Sequence, residues 1–151
     1  MRASSAFRTI ALAGLIVGIL DITSAFVIAA IRGTGSMRML QGITSGLIGA
    51  RSFQGGLATA ACGLAIHFLI AFTVVTIFYL ASRRITFLTQ HAIISGILYG
   101  VAVYLFMYWI VIRLAFPNAH PSLSRDVTAV LVHISLIGLP TALIVRRYSK
   151  P

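Results

Sequence analysis

Four long apolar runs stand along the chain, at residues 9–31, 57–81, 92–116 and 127–145, joined by two short stretches and one longer, less polar one at residues 32–56. About 20 residues of α-helix cross a hydrocarbon core, so each run predicts a membrane-spanning helix. The first run has basic residues before it and small residues near its end, as a signal peptide does. It is longer than a signal-peptide core and carries an aspartate, which predicts a retained span. Between the first two spans, Met37, Leu40, Ile43, Leu47 and Ile48 recur at helical spacing, with Arg38, Gln41 and Ser45 on another side. That pattern predicts an amphipathic helix over residues 36–50, lying in the membrane interface; a re-entrant segment is the rival reading. Residues 117–125 read as an exposed turn. The expected architecture is an all-α, polytopic four-helix bundle forming one membrane domain over residues 1–151.

Composition fixes the class from a second direction. Apolar residues make up 59% of the chain and charged residues only 9%, too few to cover a surface in water. Twelve Lys and Arg against two Asp and Glu would suggest nucleic acid in a soluble protein. Here the cations flank the apolar runs and form no basic stripe with interleaved aromatics, so the expected partner is the lipid bilayer and not nucleic acid. Arg2, Arg8, Arg83, Arg84, Arg146, Arg147 and Lys150 fall on one side, and Arg32, Arg38, Arg51, Arg113 and Arg125 on the other. The richer side is the cytoplasmic one by the positive-inside rule, which predicts both termini in the cytoplasm. Tyr79, Tyr108, Trp109 and Tyr148 lie near span ends, where an aromatic belt would sit. Cys62 is the single cysteine, so no intramolecular disulfide can form.

Three ionisable residues interrupt the spans: Asp21, His67 and His133. Such groups are costly at mid-bilayer and mark functional sites by default. Counted from the terminal side at 1.5 Å per residue, they lie about 18, 21 and 18 Å deep, near one plane. Each shares a helical face with small residues that let membrane helices approach closely. Gly14 and Gly18 accompany Asp21, and Gly63 accompanies His67; Gly96 and Gly100 mark the third span, and Ala129 and Pro140 flank His133. These glycines are the expected packing positions.

An aspartate with two histidines can act in several ways. It can glue the bundle by hydrogen bonds, bind a proton or cation, offer three metal ligands, or supply two haem ligands. No HxxxH or ExxH spacing supports a metal, and neither histidine has a second ligand nearby in sequence. No cofactor is therefore expected: no haem absorbance and no stoichiometric transition metal. Motifs for a catalytic triad, HExxH, P-loop or GxGxxG are also missing from the sequence, which gives catalysis little support. Tyr104 and Tyr108 could line a polar path or sit in the belt, Asp126 is placed to cap the fourth span, and Pro140 should kink it. A faint parallel repeat relates the two halves, with Gly14/Gly18 matching Gly96/Gly100 and one mid-depth histidine in each following span.

Several stretches carry a family resemblance. They are residues 14–23 (GLIVGILDIT), 38–49 (RMLQGITSGLIG), 60–84 with HFLIA and YLASRR, 96–107 (GILYGVAVYLFM), and the closing His133, Gly138-Leu139-Pro140 and Arg146-Arg147. Together these resemble a family of uncharacterised bacterial inner-membrane proteins of about this length. A second resemblance, in helix order and in the histidines of spans two and four, is to YagU-type inner-membrane proteins. The resemblance implies a bacterial inner membrane and marks Asp21, His67 and His133 as motif positions; it brings no activity with it. The expected function is small-solute or ion handling through a proton- or cation-responsive Asp21/His67/His133 site. The alternative is an accessory subunit of a larger membrane complex. A transport path in so small a chain implies a homo-oligomer or such a complex.

Overall fold

The computed structural model describes residues 2–117 and 123–148. Among them there is no strand, and four helices are long and apolar enough to cross a membrane. The first span is α1 (Arg2–Ile31) and the second is α3 (Gly56–Ser82); between them lies α2 (Ser36–Ile48), followed by a 3₁₀ turn, Gly49–Gln54. A one-turn helix, α4 (Phe87–Gln90), precedes the third span, which is α5 (Ala92–Phe106), a π-helical turn at Met107–Val111 and α6 (Ile112–Ala115). The fourth span is α7 (Leu123–Val132), a π-helical turn at His133–Gly138 and α8 (Leu139–Tyr148). Most of the 117–125 turn lies outside the described residues.

Local chemistry explains the breaks. Gly33 ends α1 in the left-handed conformation (φ 72°), with its own N–H on the Ala30 carbonyl and the Thr34 N–H on that of Ala29, a glycine-based helix stop. Pro140 has no N–H and its ring crowds the carbonyl four residues back. The fourth span answers by widening just before it: the Leu139 N–H bonds the Ile134 carbonyl, five residues back, and the Ser135 hydroxyl donates to the Leu131 carbonyl at 2.6 Å. The kink expected at Pro140 is thus expressed as a π turn that begins at His133. Asp126 sits in the first turn of α7 and is not its cap, because that helix starts three residues earlier, at Leu123.

The first span packs against α3 and the fourth span, and the fourth span packs against α5. The α3 and α5 backbones stand further apart. They meet through the Tyr99 hydroxyl, which donates to the Val74 carbonyl at 2.7 Å, and through the Phe78–Tyr99 ring contact. Ala13, Val17, Val75, Val103 and Ile137 form one apolar core, and Phe78, Tyr79, Ala92, Ala142 and Val145 a second, nearer the termini. Tyr79 is thereby a core residue and not part of a belt. Trp109 is exposed with Arg113 stacked over it at 4.7 Å. The outward faces, including Ile19, Leu69, Ile77, Leu98 and Leu131, are as apolar as the cores, as the bilayer demands of a solvent-facing surface.

The amphipathic helix expected between the first two spans forms, as α2. Two of its polar residues face protein: Gln41 and Thr44 are buried, Gln41 donates to the Gly56 carbonyl at 3.0 Å, and the Thr44 hydroxyl donates to the Thr59 carbonyl at 2.7 Å, while Arg38 is exposed. Thr59 in turn donates to the Ser52 carbonyl, tying in the 3₁₀ turn. Met37, Leu47 and Ile48 face outward. An unpaired polar group in hydrocarbon costs more than one satisfied inside the protein, so the polar stripe seeks α3 and leaves the apolar one for lipid. Leu40 approaches α3 at Gly63 so closely that its carbonyl occupies the space a Cβ would need. Gly46 lies against Ala115 and Phe116, so α2 bridges from α3 to the end of the third span.

Candidate functional site at mid-membrane

Three helices bring Asp21, His67 and His133 to one level. Asp21 is ten residues from the end of α1, His67 eleven from the start of α3, and His133 ten from the start of α7, or about 15–17 Å along each helix. The structure brings Asp21 and His67 together, while His133 stands on the fourth span, which packs against α1.

The geometry at His67 fixes its tautomer. Nε2 lies 2.9 Å from the Gly18 carbonyl oxygen, and a carbonyl can only accept, so Nε2 carries the hydrogen. That turns Nδ1 towards Asp21 Oδ2, 3.9 Å away. In a neutral imidazole Nδ1 would present a lone pair to an anionic oxygen. The arrangement is attractive only when the pair holds one further proton, on the ring or on the carboxyl. The Asp21 side chain is 27% exposed and that of His67 11%.

His133 is set by a different carbonyl and in the opposite sense. Its Nδ1 donates to the Ala129 carbonyl, one turn back, at 2.8 Å, which leaves Nε2 as the acceptor nitrogen. The ring is held edge-on by Tyr104 and Tyr108, at 5.9 and 6.2 Å, and these stack on each other at 4.8 Å. Tyr104 is buried. Tyr108, expected in the interfacial belt, belongs to this aromatic group beside the mid-depth histidine.

The glycines make the close approaches that set this geometry. Gly14 and Gly18 receive the rings of Phe72 and Phe68, which brings α3 near enough for His67 to reach the Gly18 carbonyl. Gly96 and Gly100 lie on the fourth-span backbone: a Cβ on Gly100 would stand 2.6 Å from Ile134 Cα and 2.7 Å from the His133 carbonyl oxygen. In each half of the chain the histidine therefore lies opposite the second glycine of the GxxxG pair, as the faint repeat suggests. Gly138, which the sequence offered only inside a motif, completes the second crossing against Gly96 and Gly100. The repeat contains two histidines and one carboxylate. Among the described residues, no three His, Cys, Asp or Glu side chains converge on a single metal position.

Comparison with protein-family models, with curated proteins and with solved structures finds no match to this chain. The fold and the site therefore define a class, a four-span helical bundle of membrane type with an Asp–His pair between α1 and α3, and functional argument rests on that geometry.

Proposed function

We propose that this chain is a proton-responsive multi-pass protein of a bacterial inner membrane, with both termini cytoplasmic, in which the Asp21–His67 pair takes up and releases a proton during small-solute or ion handling. The observation that carries this reading is the His67 geometry: a ring nitrogen committed to Gly18 leaves the other facing a carboxylate, a pairing that needs a proton to be attractive. One proton also cancels the carboxylate's charge, the least costly state for a group at that depth.

Protein reconstituted in liposomes loaded with a pH-sensitive dye should dissipate an imposed pH gradient, with or without added small cations, faster than empty liposomes do. Asp21→Asn should slow it to the background rate. Equal rates for wild type, variant and empty vesicles would discard the reading. For orientation, reporter fusions after Gly33 should score as periplasmic, and those after Ser82 or Tyr148 as cytoplasmic; a cytoplasmic score at Gly33 would reverse the assignment.

A second reading, an accessory subunit of a larger complex, draws on a different observation. On α3, Ala58, Ala61 and Ala65 are exposed at helical spacing, a face suited to close contact with another helix. Native-mass analysis separates the two readings: a homo-oligomer supports the first, and co-purification with a different chain the second.

A further inference from the structure

We propose that the half of the bundle away from the chain termini encloses a water-filled crevice that ends on the Asp21–His67 pair. The pair therefore exchanges protons or small hydrated cations with that side of the membrane and not with the terminal side. The inference rests on the proton-handling reading of Asp21 and His67 and deepens it, by naming the side from which the site is served.

Burial along the inward faces carries it. On α1, Val17 is 1% exposed, whereas Asp21, one turn further on the same face, has a side chain 27% exposed, and Ile28 beyond it is half-buried. The third span repeats the change, from buried Val103 and Tyr104 to half-buried Tyr108 and Val111. The fourth does so from buried Ile137 to half-buried His133 and Val130. Both apolar cores, by contrast, lie at this level or on its terminal side. Val17, Val75, Phe78 and Val145 are at most 1% exposed there, and packing of that density closes the terminal half to water.

The glycines give the physical reason. Gly14, Gly18, Gly96, Gly100 and Gly138, which permit the close crossings, all lie on the terminal side of Asp21 and His133. Beyond that level no glycine occurs in the rest of α1, in the outer part of the third span or in α7, and Gly63 of α3 is taken up by α2. Among the described residues, α6 packs against α2 and α7 against α5, and neither packs extensively against α1 or α3. A gap is left between the first two spans and the last two. Helix α2, seated on α3 and reaching Ala115 and Phe116, walls one flank of it from lipid. Carboxylates at mid-depth face a bundle interior or a water-filled cavity, not hydrocarbon. Asp21 shares the inward face of Val17, so the free part of its side chain opens into the gap and calls for water there.

The test is thiol labelling of single-cysteine variants in a Cys62→Ser background, reconstituted in liposomes, with a cationic, membrane-impermeant methanethiosulfonate. Ile28→Cys, Val111→Cys and Val130→Cys should react at least about tenfold faster than lipid-facing Leu131→Cys or core Val103→Cys, because a thiol in apolar surroundings stays protonated and inert. They should react from the side on which Ser36→Cys does, and not from the side on which Arg84→Cys does. Rates no faster than that of Leu131→Cys would mean that lipid or a second copy of the chain fills the gap, and would overturn the crevice; so would reaction from the terminal side. Water-edited solid-state NMR of the wild-type protein in lipid is a second measurement that needs no variant. Water magnetisation should reach Asp21 and His67 well before Val17 and Val75, and simultaneous arrival would overturn the proposal. Neither readout involves proton transport. Labelled crevice positions without Asp21-dependent gradient dissipation would keep the crevice and discard the proton-handling reading, and the reverse result would keep that reading and discard the crevice.

Discussion

His67→Ala should destabilise the bundle by about 1–3 kcal/mol at pH 8, and adding Asp21→Asn should restore part of that loss. The single variant leaves a carboxylate at mid-membrane with its nearest counter-group removed, and leaves the Gly18 carbonyl without its imidazole donor; an orphaned buried charge costs more than the pair contributed. Asparagine removes the charge and with it most of that penalty. The sign of the pH dependence follows. As pH falls the solvent can supply a proton to the orphaned carboxyl, so the single variant should itself gain stability between pH 8 and pH 5, and the double variant, with no carboxyl there, should gain less. Thermal or denaturant unfolding in detergent, run as a double-mutant cycle at both pH values, measures a coupling expected at about 0.5–2 kcal/mol. Additive effects at pH 8 would mean that the two side chains do not act as a pair.

Gly100→Leu should cost about 3 kcal/mol, at the upper end for overpacking. The neighbours of a side chain there are backbone atoms, Ile134 Cα and the His133 carbonyl, which cannot rotate aside as a side-chain tip can. The third and fourth spans must part, and the widened turn that carries His133 moves with them. The variant should therefore lose the Tyr104–His133 contact as well as stability. Gly42→Ala is the control. Nothing stands near a Cβ at that position of α2, and alanine favours the helix over glycine, so stability should be unchanged or slightly raised. If both variants behave alike in an unfolding series, close packing at Gly100 is not what holds the two spans together.

The sequence by itself determined the number of spans, their approximate ends and the depth of the three ionisable residues, because those quantities run along the helix axis. Twenty apolar residues have only one use at this composition, and a rise of 1.5 Å per residue turns sequence distance into depth. What faces what around each axis was less legible. In water, hydrophobicity marks the buried face; in a bilayer the outside is as apolar as the inside, so Leu98 and Val103 look alike in sequence although one is exposed and the other buried.

Only the tertiary structure decided that Gln41 and Thr44 turn towards α3, since their partners are backbone carbonyls more than ten residues away. It also decided that Tyr79 lies in a core and that Tyr108 stands beside His133, where a belt position and a core position carry the same residue type. The π turn of the fourth span was half legible, in Pro140. That of the third, with neither proline nor glycine to announce it, was not. The tautomers were beyond the sequence altogether. Which ring nitrogen carries the hydrogen depends on which carbonyl lies in reach: for His67 that carbonyl belongs to Gly18, 49 residues away, and it is the approach of two helices that brings it there.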